Sequence, residues 1–170
     1  MELLPHKTLS IHLIDENFLF TDDFRDKYSW KKKYRVNFYP SVNKFINDIK
    51  GKPALYKGNN IIVLAINLAR PDKNAATRQI NMCAKLMPGV HIIDICHKKE
   101  LDNGVATLRN DNVIHIVNNE NTVLRIDNAI KWILAKINLE VKGRNYKIIL
   151  YLFLTTLFIS SAIFIFSRVS

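Results

Sequence analysis

Short apolar runs and helical apolar stripes alternate along this chain. Ile61 to Ile66 is an unbroken apolar run rich in β-branched residues, bounded by Gly58-Asn59-Asn60 and by Arg70-Pro71-Asp72. It is too short for a buried helix and predicts a central parallel strand covered on both faces. Leu9–Ile14, Val90–Ile95 and Val113–Val117 carry the same signal, and Tyr34–Tyr39 alternates cleanly as a strand. Between these runs the spacing turns helical. Phe20 and Phe24 lie four apart within Phe18–Tyr28. Ser41 stands as an N-cap before the stripe Val42, Phe45, Ile46 and Ile49. Ala75–Met87 turns Ile80, Cys83 or Ala84, and Met87 inward and is stopped by Pro88-Gly89. Glu100–Arg109 predicts a weaker helix with Gly104 inside it. Thr122 caps the strongest stripe, Val123, Ile126, Ile130, Ile133, Leu134 and Ile137. Strand and helix alternate five times. Right-handed crossovers then give an α/β fold over residues 1–138: a doubly wound (βα)5 parallel five-stranded sheet.

Beyond residue 138 the pattern changes. Residues 139–147 read as a short basic linker carrying Lys142, Arg144 and Lys147. From Ile148 to Phe166 no charge occurs, and as a helix this stretch would reach about 28 Å at ~1.5 Å per residue. That length matches a hydrocarbon core of about 30 Å and predicts one C-terminal transmembrane helix over 148–166, with a short tail at 167–170. Three cations precede the stretch and Arg168 alone follows it, which would leave the globular part on the cytoplasmic side. Thr156 and Ser160, four apart on one helix face, form a candidate contact between two such helices, and hence a candidate homodimer.

Charge and cysteine content add little. The net charge of +10 is spread over Lys31-Lys32-Lys33, Lys98-Lys99, Lys142 and Arg144 rather than gathered into one patch. No basic recognition helix or interleaved stacking aromatics accompany it, which weighs against nucleic acid as a partner. Cys83 and Cys96 are too few for a disulfide framework and lack zinc-motif spacing. The histidines His12, His91 and His115 each fall inside a strand and read as lining the sheet; no HxH or HxxxH pair occurs. Gly-rich phosphate cradles and the GxSxG motif are absent from the sequence.

From Leu9 to Ile137 the chain resembles a response-regulator receiver domain, the flavodoxin-like module of two-component signalling. Ile11-His-Leu-Ile-Asp-Glu16 resembles that family's first strand and acidic pair, and Ile61-Ile-Val-Leu-Ala-Ile-Asn-Leu68 its third strand. Thr77-Arg-Gln-Ile80 and Leu86-Met-Pro-Gly-Val90 resemble its third helix and the turn to its fourth strand. The departures lie at the positions the resemblance makes functional. Ala65 stands where the phosphoryl-accepting carboxylate belongs, Cys96 where a hydroxyl belongs, and Asn118-Asn119 where a lysine belongs. Asp15, Glu16, Ala65, Cys96, Asn118 and Asn119 thus outline a degenerate receiver pocket, a pseudo-receiver that phosphorylation does not switch.

The resemblance implies a non-catalytic interaction module. With the anchor, it implies tethering to a bacterial inner membrane, facing the cytoplasm, with lipid and an unidentified protein as partners. No cofactor is expected beyond weak Mg²⁺ held by the oxygens of Asp15 and Glu16. Two competing expectations are a small membrane-anchored α/β enzyme built around Asp15, Glu16, Asn67, Asp94 and Cys96, and a basic nucleic-acid-binding domain.

Overall fold

The computed structural model describes residues 9–29, 31, 33–52, 56, 59–65, 73–98 and 112–169. The strands are β1 (Leu9–Asp15), β2 (Tyr34–Tyr39), β3 (Asn60–Ala65), β4 (His91–Cys96) and β5 (Val113–Val117). The described helices are α1 (Thr21–Tyr28), α2 (Val42–Gly51), α3 (Lys73–Leu86) and α4 (Thr122–Val169). All four strand pairings are parallel, in the order β2-β1-β3-β4-β5. This is the strand order of flavodoxin-like doubly wound folds. Glu100–Arg109, Asn67 and Asp72 lie outside the described residues.

Both faces of β3 and β4 are covered, and every residue of the two strands is buried. That is why they read as continuous apolar runs and not as alternation. On one face Ile14, Ile62, Leu64 and Ile92 meet Val42, Phe45, Ile46 and Ile49 of α2 and Ile80 and Cys83 of α3 in a single cluster. Ser41 caps α2 by accepting the Lys44 N–H, as its sequence position predicts. Near the start of α4, the Tyr28 hydroxyl at the end of α1 donates to Asp127 at 2.8 Å. Burial together with that carboxylate raises the Tyr28 pKa. Pro88-Gly89 ends α3, and Gly89 takes φ +80°, a conformation open to glycine without strain. Helix α1 starts three residues later than the apolar spacing suggests. Phe18 sits at φ 56° in the β1–α1 loop, and Asp15 takes the Phe20 N–H.

The chain divides into two compact units, Met1–Ile130 and Lys131–Ser170. The second unit is helical without a break through 139–147 and on to Val169. Lys142, Arg144 and Lys147 are exposed on it; the Arg168 side chain lies outside the described residues. Among the described residues no helix is long and apolar enough to cross a membrane. This overturns the expected transmembrane helix over 148–166. The hydroxyls of the candidate helix–helix contact are bonded within their own helix. Thr155 and Thr156 donate their hydroxyls to the Leu152 carbonyl, and Ser160 donates to the Thr156 carbonyl at 2.9 Å.

Candidate metal centre

Side chains of a strand alternate between faces, so Ile92, Asp94 and Cys96 share one face of β4. Ile92 belongs to the cluster built with α2 and α3, which places Asp94 and Cys96 on that same covered face. A carboxylate buried there is costly unless a partner satisfies it. Strand β5 supplies the partner, because the parallel register sets His115 beside Asp94 and Val117 beside Cys96. His115 Nδ1 donates to Asp94 Oδ2 at 2.9 Å, with the two side chains 11% and 3% exposed. Cys96 closes the strand at its carboxyl end, with Sγ 3.8 Å from the Ile116 carbonyl oxygen. One ligand atom from each of Asp94, Cys96 and His115 lies within 4.8 Å of the other two. The second ring nitrogen of His115, Nε2, is buried and makes no hydrogen bond. A buried polar atom left without a partner costs about 1–3 kcal/mol.

The donor set names the chemistry it suits. One oxygen, one nitrogen and one sulfur match zinc and similar divalent transition metals, whereas Mg²⁺ favours oxygen alone. Tetrahedral zinc, with bonds of roughly 2.0–2.3 Å, holds its ligand atoms about 3.3–3.8 Å apart.

A second polar cluster occupies the same face nearer β2, and it is closed. His12 on β1 donates from Nε2 to Asn60 Oδ1 at 3.0 Å and accepts from Asn37 at Nδ1 at 3.4 Å. The Asn60 amide in turn donates to the Tyr56 carbonyl. Rings of Phe45, Tyr56 and Tyr39 surround the imidazole. Burial holds the His12 pKa below its ordinary 6.5. Tyr39 and Tyr56 share the Asp48 carboxylate, and the Tyr56 hydroxyl chiefly keeps that carboxyl below its usual range.

The residues singled out from sequence fall in separate places. Asp15 ends β1 in register with Ala65 of β3, and both are buried. Asp15 Oδ2 accepts from the Phe20 N–H at 2.7 Å and the Thr21 hydroxyl at 3.2 Å, tying β1 to the start of α1. Glu16 points the other way. It is exposed and lines a groove of about 230 Å³ with Ser41, Asn43, Arg78 and Met82. The acidic pair is therefore split, one carboxylate inward and one outward. The Asn118 N–H bonds the Cys96 carbonyl at 2.9 Å, and the Thr122 hydroxyl joins Asn118 and Asn119 into the turn before α4. The sequence makes His115 a residue lining the sheet. Its signal lay in Asp94-x-Cys96, two ligand types on one face of a strand, followed by a histidine inside the next strand.

No family model, no curated protein and no solved structure matches this chain. The receiver resemblance thus reaches as far as the sheet and its order. It does not carry a pseudo-receiver identity. The membrane-tethered signalling module, its lipid and protein partners, the homodimer and the inner-membrane location are overturned together. All depended on a span that no described helix supplies.

Proposed function

We propose that this chain is a small α/β domain that binds one divalent transition-metal ion of the zinc class through Asp94, Cys96 and His115. The observation that carries the reading is the convergence of oxygen, sulfur and nitrogen donors on adjacent strands. It is sharpened by a buried imidazole nitrogen with no hydrogen bond. Three protein donors leave a fourth tetrahedral position to water or another ligand. The burial of Asp94 and Cys96 supports a holding role and not turnover of a substrate. Such an ion would pin edge strand β5 to β4 and stabilise the fold by mass action, about 2.7 kcal/mol at a hundredfold excess over Kd.

Titration of the reduced chain with Co²⁺ tests this directly. One equivalent should give the thiolate-to-cobalt charge-transfer band together with tetrahedral visible bands. Zn²⁺ should then bleach both. Cys96→Ser should lose the charge-transfer band and His115→Gln should weaken binding at least tenfold, while Cys83→Ser should bind as the parent does. A Co²⁺ spectrum lacking the sulfur band, or one unchanged in Cys96→Ser, would sink the assignment.

A further inference from the structure

Resting on the metal reading, we infer that the centre and the first turn of α4 are one linked unit: an ion on Asp94, Cys96 and His115 tightens the turn built around Thr122, and loosening that turn loosens the ion. Cys96 is the last residue of β4, and the end of β5 holds it at two points. Its Sγ stands 3.8 Å from the Ile116 carbonyl oxygen, and its own carbonyl accepts the Asn118 N–H at 2.9 Å. Asn118 already lies beyond β5, which ends at Val117. The last rung beside the sulfur ligand is therefore carried by the turn before α4 and not by the strand.

One buried hydroxyl gathers that turn. Thr122 is 1% exposed. Its Oγ1 accepts the Asn119 N–H at 2.7 Å and donates to the Asn119 carbonyl at 2.6 Å, with the Asn118 side-chain oxygen beside it at 3.2 Å. The Asn119 side chain then accepts the Asn121 N–H at 2.9 Å. Without the hydroxyl the Asn119 N–H loses this acceptor and the turn loosens. Ser41 supplies the comparison, since it caps α2 through the Lys44 N–H, a bond local to that helix. The coupling runs both ways by thermodynamic necessity. An ion that needs Cys96 in place favours the closed turn that keeps it there. A turn that opens more often leaves fewer competent centres, and the apparent affinity falls by that fraction. Thr122 is thus a positioning residue that acts on the ion through Asn118 and Cys96. Losing an outer partner of a metal ligand costs roughly 10–100-fold in affinity, and Thr122, one step further out, belongs at the lower end, about tenfold.

Amide hydrogen exchange of the reduced full-length chain, with and without Zn²⁺, tests the linkage in the parent itself. Zinc should slow exchange of the Asn119 and Asn121 amides at least about fivefold and leave that of Lys44 unchanged. Thr122→Val should weaken zinc binding about tenfold and dim the sulfur-to-cobalt band of the Co²⁺-saturated protein. Thr122→Ser, which keeps the hydroxyl, should restore both. Asn60→Ala, which unsettles the closed cluster toward β2, should bind zinc as the parent does, so that positioning is told apart from a general loss of stability. Exchange at Asn119 and Asn121 untouched by bound zinc would overturn the linkage, as would parent-like zinc affinity and cobalt band in a folded Thr122→Val. A parent chain that takes up no zinc at all would instead overturn the metal reading beneath it.

Discussion

His12 and His115 sit on one face of one sheet, toward its two opposite sides, and they are equipped differently. His12 spends both ring nitrogens on asparagine side chains and is walled by aromatic rings. His115 spends one nitrogen on Asp94, leaves the other without a hydrogen bond, and has a thiol for a neighbour. A polar group whose every valence is met inside the fold belongs to the structure. An open valence alone does not mark a ligand site, since Asp15 Oδ1 is equally unbonded; beside His115 the donors of Asp94 and Cys96 gather as well.

The contrast can be broken most forcefully with metal. Excess Zn²⁺ should raise the melting temperature of the parent and of His12→Gln by similar amounts. His115→Gln should lose most of the shift, a difference of about 2 kcal/mol or more at a hundredfold excess. Differential scanning fluorimetry reads it, and a His115→Gln shift equal to the parent's would erase the distinction.

Next in size is the closed cluster. Asn60→Ala removes the acceptor for His12 and the donor to Tyr56, and should cost about 1–3 kcal/mol in urea unfolding. A loss below half a kilocalorie would show the network to be ornamental.

The smallest effect is in pH. His12 is neutral when folded because burial lowers its pKa, whereas in the unfolded chain it titrates at its ordinary 6.5. Below 6.5 the unfolded state binds the extra proton, so stability falls as pH drops from 6.5 toward the lowered folded value. The slope is at most about 1.4 kcal/mol per pH unit for one group. Above 6.5 the contribution is complete and flat. His12→Gln should flatten the acid side of the profile; an unchanged slope would place the acid sensitivity elsewhere.

Much of the fold was legible because burial on both faces writes itself into composition. Ile61–Leu64 and Ile92–Ile95 needed no context to read as buried strands, and Ser41 marked the start of α2 unaided. The candidate centre was not legible in the same way. Asp94 and Cys96 are local to each other, but His115 joins them only through the β4–β5 register, a property of two strands and not of either sequence. The acidic pair misled for the converse reason. Adjacent residues on a strand end point apart, so Asp15 turned in and Glu16 out. The C-terminal stretch is uncharged from Ile148 to Phe166, yet among the described residues no helix is long and apolar enough to cross a membrane.

Among the described residues strand β5 pairs with β4 alone. The three donors therefore do not exist as a set until that last strand has docked, and they part company whenever it opens. During synthesis Asp94 and Cys96 emerge together, while their third member follows later. The centre is in this sense a clock for the fold. Its occupancy would mark the moment the edge closes, and the lifetime of a bound ion would be bounded by how long the edge stays shut.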